Sequence, residues 1–127
     1  MAKNKQEKNS RQYSPFSGTE EGQLTVDVHQ NENEFIIKSA VAGVKSEDID
    51  IQVTDDMVTI RGTRHRDEEL HPDGFLYQEC FWGAFSRSVI LPGKIDPSRV
   101  SAAIKNGILT VRLPKVTGQR VKKIDIQ

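Results

Sequence analysis

Histidine and cysteine, two residue types that often act in catalysis or bind metals, are scarce in this chain, which has three histidines and one cysteine. His29 stands in a stretch that alternates apolar and polar residues, and no nucleophile motif lies beside it or beside His65 and His71. The spacing of His65, His71 and Cys80 is not that of zinc ligands, and the chain has no Gly-rich phosphate-binding loop of the ATPase type. We therefore predict a protein that is not an enzyme and that holds no metal or cofactor.

The single cysteine, Cys80, precedes the aromatic pair Phe81-Trp82 and follows Tyr77 by three residues. A thiol in such surroundings is expected to be buried or to lie in an interface, rather than to be reactive. Because the chain has one cysteine, it cannot form an internal disulfide.

The charge balance argues against a nucleic-acid partner. Lysine and arginine together number 18, as do aspartate and glutamate, so the formal net charge is zero. Nucleic-acid binding would rely on Lys3, Lys5, Lys8 and Arg11, and affinity for phosphates requires a basic excess that the chain as a whole lacks. No apolar run approaches the length of a membrane span, and no signal-type segment opens the chain. We expect a cytoplasmic protein with neither nucleic acid nor membrane among its partners.

The clearest structural signal is a hairpin between Val100 and Pro114. Asn106-Gly107 is the strongest two-residue turn signal, because both residues accept positive φ and the resulting turn matches the twist of the strands. Apolar and polar residues alternate on each side of this turn, which is the period of a strand with one apolar face. The apolar positions are Val100, Ala102 and Ile104 before the turn and Leu109, Val111 and Leu113 after it.

Several further strands precede this hairpin. A strand that begins at Leu24 is predicted from the alternation of Leu24, Val26 and Val28, and residues 35–42 are apolar on both faces, as in a central strand. Ile49, Ile51 and Val53 form another alternating run, and residues 57–63 return from a turn at Asp55-Asp56. Because no stretch shows a 3.6-residue apolar period, the pattern predicts an all-β domain and leaves a sandwich and a barrel both open.

The domain boundaries follow from composition. Residues 1–22 are polar and predicted to form a disordered arm, which either binds clients or partners or is an uncommitted solvated tail. Residues 23–115 carry the strands, and residues 116–127 form an extension that ends in Ile124-Asp125-Ile126. Two isoleucines at i and i+2 share one face only in an extended chain, which suits a tail that adds a strand to a sheet edge.

The segment between the strands at residues 64 and 83 is unusually long for a loop in a compact domain, and such loops are often functional. It begins with charged residues, turns at Pro72-Asp73-Gly74 and continues with an aromatic-rich half, residues 75–82. An apolar segment on an exposed loop is expected to be covered by another surface.

Taken together, these motifs resemble the small heat-shock protein family. The matching features are Gly-x-Phe-x-Arg at residues 83–87, Leu91-Pro92, Asn-Gly-Ile-Leu-Thr-Val at residues 106–111 and the terminal Ile-x-Ile. The resemblance covers roughly residues 23–127 and is specific in its order and spacing. It implies an immunoglobulin-like β-sandwich, the α-crystallin domain, and the activity of an ATP-independent holdase that keeps unfolding proteins from aggregating. The alternative is a co-chaperone or scaffold domain that docks one specific folded partner.

The resemblance also implies roles for individual residues. The loop would exchange a strand with a neighbouring subunit to form a homodimer, a low-cost route to dimers that leaves larger homo-oligomers open. Its residues would be Phe75, Leu76, Tyr77, Glu79, Phe81 and Trp82, together with Arg87. Arg87 would pair with a loop carboxylate, the alternative being an ordinary exposed strand arginine. Ile124 and Ile126 would anchor the tail in a groove on a neighbouring subunit. The walls of that groove would be Ile49, Ile51, Val53, Val100, Ala102 and Ile104.

The chain departs from the family pattern at three places. Ala42 stands where relatives often have proline, so the turn at Gly43 is expected to be looser. Glu79-Cys80 replaces a Glu-Arg pair, which removes one interface ion pair. The N-terminal arm is shorter and more polar than is usual in the family, which argues against a very large assembly.

Overall fold

A computed structural model of the protein describes residues 21–66, 68–116 and 124–127. Within these ranges regular structure consists of strands and three short 3-10 turns, so the prediction of an all-β domain is confirmed. The strands are β1 (Gly22–Gln23), β2 (Asp27–Gln30), β3 (Glu34–Ala40), β4 (Ile49–Val53), β5 (Met57–Arg64), β6 (Gly83–Ile90), β7 (Ser101–Lys105) and β8 (Ile108–Pro114). The 3-10 turns are Ser46–Asp48, Pro72–Gly74 and Pro97–Arg99. No helix in the described ranges is long and apolar enough to cross a membrane.

The eight strands form two four-stranded sheets, with the orders β1-β6-β5-β4 and β2-β3-β8-β7. All pairs are antiparallel except β1 with β6, which is parallel. The inward-facing residues of the two sheets form one hydrophobic core, which includes Phe35, Ile37, Val58, Ile60, Phe85, Leu109, Val111 and Leu113. The choice that the apolar pattern left open is therefore settled as a sandwich rather than a barrel.

The run from Leu24 to Val28 is divided between the sheets, unlike the single alternating strand that the sequence predicts. β1 pairs with β6 in one sheet, and after residues 24–26 the chain continues as β2, which pairs with β3 in the other sheet. Leu24 is buried on this crossing, whereas Val28 is exposed. The Ser39 hydroxyl donates to the Thr25 carbonyl oxygen over 2.7 Å and holds the crossing in place. Alternation alone cannot show such a change of sheet, because it does not say which neighbouring strand each residue pairs with.

This crossing determines which edges of the sandwich lie together. β1 and β2 are the terminal strands of their sheets, and because residues 24–26 join them directly, they lie on the same side of the sandwich. Each sheet has four strands, so β4 and β7, the other two terminal strands, form the opposite side. The predicted arm lies outside the described residues apart from Glu21 and Gly22, and Gly22 belongs to β1.

Candidate interaction site

The open side of the sandwich, between β4 and β7, carries the six residues predicted to line a groove. Ile49, Ile51 and Val53 of β4 are half-buried and pack against the core. On the other strand Val100, one residue before β7, and Ile104 are also half-buried against the core, while Ala102 is exposed. Because both strands end their sheets, their outer backbone edges have no partner strand among the described residues. An extended apolar segment could therefore bind there by adding a strand.

The turn between β7 and β8 fixes one end of this open side. Asn106 and Gly107 both have positive φ, 54° and 78°, which is the backbone of a two-residue hairpin of the Asn-Gly type. Lys105 pairs with Ile108 in register across the turn. The Val41 amide donates to the Gly107 carbonyl oxygen over 2.8 Å, which attaches the turn to the end of β3.

The other end of β7 is held by a capped turn. The carboxylate of Asp96 accepts hydrogen bonds from the Ser98 hydroxyl at 2.6 Å and from the Ser98 amide at 3.1 Å. The hydrogen bond from the hydroxyl has the larger effect and the one from the amide the smaller, and both lower the pKa of Asp96 because they favour the ionised form. Asp96 is thereby the N-cap of the turn Pro97–Arg99, which leads straight into β7.

The loop between β5 and β6 presents its apolar side chains to solvent. Its described residues include the turn Pro72–Gly74 and no strand, so the strand that family resemblance implies is not formed within one chain. Leu76 is 92% exposed and Tyr77 is 84% exposed, whereas Phe75 and Phe81 are half-buried. These two side chains form an exposed apolar surface on the loop, and its role as an interaction site stays a prediction.

Arg66 organises the centre of this loop. Its guanidinium lies 4.9 Å from the centroid of the Phe75 ring and 5.1 Å from that of Trp82, which are cation–π distances. These side chains line a surface pocket to which Cys80 also contributes. Cys80 is exposed, so the expectation of a buried thiol is wrong for the single chain: the loop turns this side chain away from the core. Its place in an interface stays a prediction.

Arg87 lies on the inner face of its sheet rather than on the outer surface, because it pairs with the core residue Ile60. It is half-buried, and its Nη1 donates to the Leu24 carbonyl oxygen over 3.2 Å. None of the ion pairs between described residues includes it. Its pairing with a carboxylate of a neighbouring subunit stays a prediction, as does the participation of Glu79, which is exposed.

The tail isoleucines are largely exposed within one chain. Ile124 is 78% exposed and Ile126 is 98% exposed. The sandwich ends where the Val116 amide donates to the Lys94 carbonyl oxygen over 3.2 Å, and residues 117–123 lie outside the described ranges. The tail and its proposed groove are therefore both open to a second molecule.

The three histidines have local roles in the described part of the chain. His71 accepts a hydrogen bond at Nδ1 from the Asp73 amide and so caps the turn Pro72–Gly74. His65 Nε2 lies 3.7 Å from a carboxylate oxygen of Asp48, and His29 is exposed on β2. The described residues contain no group of three or more side chains that could hold a metal ion.

A model of the Hsp20/alpha crystallin family matches residues 27–127, which include seven of the eight strands and the tail. The chain belongs to this family.

Relatives and solved structures agree with this assignment. Small heat shock protein C4 of Rickettsia felis is 33% identical over 100 residues, covering 79% of this chain and 61% of that protein. Spore protein SP21 of Stigmatella aurantiaca is 34% identical over 100 residues, covering 79% of this chain and 59% of that protein. Heat shock protein 16.0 from Schizosaccharomyces pombe has a similar structure, with a TM-score of 0.71 and 34% identity over 84% of this chain and 77% of that chain. The chain spans about three fifths of the length of the first two relatives.

One residue that organises this Hsp20-family domain was not singled out from the sequence. Arg64, the last residue of β5, donates from Nε to the Ala42 carbonyl oxygen over 3.0 Å and from Nη1 to the Phe81 carbonyl oxygen over 3.5 Å. Its guanidinium also lies 5.9 Å from the centroid of the Phe85 ring. It therefore connects the start and the end of the long loop to the segment that follows β3. In the sequence Arg64 opens a charged run, and nothing in that run distinguishes it from its solvated neighbours.

Proposed function

We propose that the protein is an ATP-independent chaperone of the holdase type, which binds apolar segments of unfolding proteins and keeps them from aggregating. The observation that carries this proposal is the open side of the sandwich. There β4 and β7 present half-buried apolar side chains together with backbone edges that pair with no strand in the described part of the chain. An extended apolar segment of any sequence could bind there, because main-chain hydrogen bonds supply affinity without reading side chains. Binding to unfolded chains acts by mass action and needs no fuel.

The tail is proposed to be the resting occupant of the same groove on a neighbouring subunit. Ile124 and Ile126 are almost fully exposed in the single chain and alternate as residues of an added strand must. Burying both would contribute roughly 3–6 kcal/mol of transfer free energy. Ordering the tail offsets much of this, so a single tail binds weakly and exchanges readily. Several tails in one assembly hold through their high effective concentration.

The loop is proposed to form the dimer. Leu76 and Tyr77 are exposed in one chain. β2, with four exposed residues, is the end strand of its sheet among residues 21–66, 68–116 and 124–127, and a neighbour's loop could add a strand to it. Exchange of the same element in both directions gives a symmetric homodimer. Dimers joined by tails then give a larger homo-oligomer, in which a released tail makes the groove available to clients.

Light scattering during the heating of two unrelated client proteins tests the activity. The protein is added at an equimolar ratio, with an inert globular protein of similar mass as the control, and each assay is run with and without ATP. A holdase suppresses scattering from both clients equally well in either condition. Suppression for one client alone would favour the alternative, a co-chaperone or scaffold domain that docks one specific partner. No suppression for either client would contradict the proposal.

A further inference from the structure

The long loop ends at Phe81, which packs against the edge of the core and also contacts β1. Gly22 of β1 is buried, and a Cβ built on it would lie 2.8 Å from Cε2 and 3.0 Å from Cζ of Phe81. Carbon atoms in contact pack at about 3.5–4.0 Å, so no side chain larger than that of glycine fits between this backbone and the ring. The Phe81 ring therefore rests directly on the main chain of β1.

The backbone around Phe81 is built to hold the ring in this position. Gly83, two residues later, has φ of 128°, a conformation that side chains rarely permit, and it turns the chain back into β6. On the other side the Arg64 guanidinium donates to the Phe81 carbonyl oxygen, while its Nε is fixed to the Ala42 carbonyl oxygen. The end of the loop is thus fastened to β5 and to the segment after β3, with its ring placed over β1.

β1 itself has little else to hold it. It is two residues long, below the usual length of a strand, and pairs with β6 only at Gly22 with Phe85 and at Gln23 with Ser86. One further main-chain bond runs from the Leu24 amide to the Ser86 carbonyl oxygen at 3.1 Å, and the Ser86 hydroxyl donates to Glu21 at 2.9 Å. Leu24, the next residue, is buried, and its carbonyl oxygen accepts from Arg87 Nη1 over 3.2 Å, so the chain is well held from Leu24 onward. Gly22 and Gln23 make fewer contacts and therefore depend more on the apolar cover that the Phe81 ring provides.

We propose that Phe81 and Gly22 form a joint through which β1 and the loop stabilise each other, so that release of one releases the other. Coupling of this kind is reciprocal. Movement of the loop toward a neighbouring subunit would withdraw the ring and loosen β1. Conversely, a pulling force on the residues that precede Gly22 would displace β1 and loosen the loop. The consequence for assembly rests on the proposed loop dimer, whereas the joint itself lies within one chain.

Hydrogen exchange of the full-length protein, read by mass spectrometry, tests the joint. Phe81→Ala removes the ring and adds no atoms, and we expect amides at residues 22–24 to exchange roughly tenfold faster while those of β3 and β8 keep their rates. Gly22→Ala forces the ring away, and we expect the amides at the start of β6, residues 83–84, which pair with β5 next to the end of the loop, to exchange faster by a similar factor. Gly74→Ala is the matched control on the same loop, because a Cβ there meets nothing within 4 Å.

A second-site variant shows whether the effect passes through this contact. In Gly22→Ala with Phe81→Leu the smaller side chain leaves room for the new methyl group, and we expect exchange in both segments to return toward the wild-type rates. The proposal is overturned if Phe81→Ala leaves residues 22–24 unchanged, or if it accelerates β3 and β8 equally, which would indicate global unfolding. Sedimentation of the wild type in parallel separates the two proposals: a monomer contradicts the loop dimer, and the exchange rates alone decide on the joint.

Discussion

The ring of Phe85 lies against Gly62 on the neighbouring strand, where a Cβ built on residue 62 would be 2.6 Å from the ring's Cζ and 2.9 Å from the Asp48 carbonyl oxygen. Because residue 62 is a glycine, the buried ring of Phe85 has room to pack against the backbone of β5. Gly62→Ala should lower the free energy of unfolding by about 1–3 kcal/mol, because an atom inserted into a packed core forces its neighbours to move. Urea denaturation measures this change.

The matched control for this prediction is Gly74→Ala, where the added methyl group enters open space. Its free energy of unfolding should stay within about 0.5 kcal/mol of the wild-type value. A Gly62→Ala protein with the wild-type denaturation midpoint would show that the backbone of β5 can move away from Phe85 at little cost.

The hairpin turn gives a second prediction about stability. Gly107 has φ of 78°, and its Cβ would lie 3.3 Å from Cβ of Ala42. Gly107→Val therefore combines backbone strain with a close contact. It should lower the free energy of unfolding by about 1–3 kcal/mol, which would be measured as a clear fall in the melting temperature. Ala103→Val is the control, because it places the same side chain at an exposed strand position that favours valine. An unchanged melting temperature for Gly107→Val would show that valine fits at residue 107 without backbone strain.

The cap of β7 predicts a dependence on pH. Hydrogen bonds from Ser98 lower the pKa of Asp96 in the folded state, so the ionised carboxylate stabilises the fold above the ordinary aspartate pKa of about 3.9. This contribution disappears as the pH falls through the lowered folded-state value. Ser98→Ala, which removes the stronger bond, should reduce the melting temperature at pH 7 and reduce it less at pH 3.

Ser101→Ala, at an exposed position on β7, is the control for this pH dependence and should differ equally little from wild type at both values. If the deficit of Ser98→Ala were as large at pH 3 as at pH 7, its cause would be something other than the charge of Asp96.

The loop prediction concerns assembly. Deletion of residues 75–82 should produce monomers in sedimentation experiments, because it removes the exposed apolar half of the loop. Leu76→Ser with Tyr77→Ser is a milder test, since both side chains are exposed in the single chain and their loss should leave the sandwich folded. Leu70→Ser, at a 52% exposed position outside this half, is the control. A wild-type protein that is monomeric at tens of micromolar would contradict the prediction.

The tail prediction separates assembly from folding. Ile124→Ala with Ile126→Ala should reduce the assembly to dimers while circular dichroism shows an unchanged β-domain. Size-exclusion chromatography with light scattering measures the mass. Asp125→Ala is the control within the tail, because alternate residues of an extended strand point to opposite sides. A double variant that keeps the wild-type mass would rule out these isoleucines as the assembly contact.

Local pattern predicted the strands well and their arrangement only in part. The alternation after Asn106-Gly107 correctly indicates that Leu109, Val111 and Leu113 face the core, because burial on one face of a strand leaves a period of two in the sequence. The same reasoning failed from Leu24 to Val28, where residues 24–26 belong to neither strand and carry the chain from one sheet to the other.

The contacts that the sequence could not predict join residues far apart in the chain. Phe85 rests on Gly62 and Phe81 on Gly22, and a glycine that makes room for a distant ring looks like any other glycine in a sequence. The exposure of Cys80 was missed for a related reason: the aromatic residues near it make other contacts, Phe75 and Trp82 with Arg66 and Phe81 with Gly22, instead of covering the thiol. Composition indicates that such side chains will be covered, and only the fold shows which of them are.

The crossing at residues 24–26 also has a mechanical consequence. It is the shortest covalent link between the two sheets, the others being residues 41–48 and 91–100. The two sheets can therefore move apart least on the side where this link joins them. As long as β1 stays paired with β6, heat or force that separates the sheets should part them first on the side of β4 and β7. The sandwich would then open along the apolar groove between β4 and β7, while residues 24–26 still hold the opposite side together.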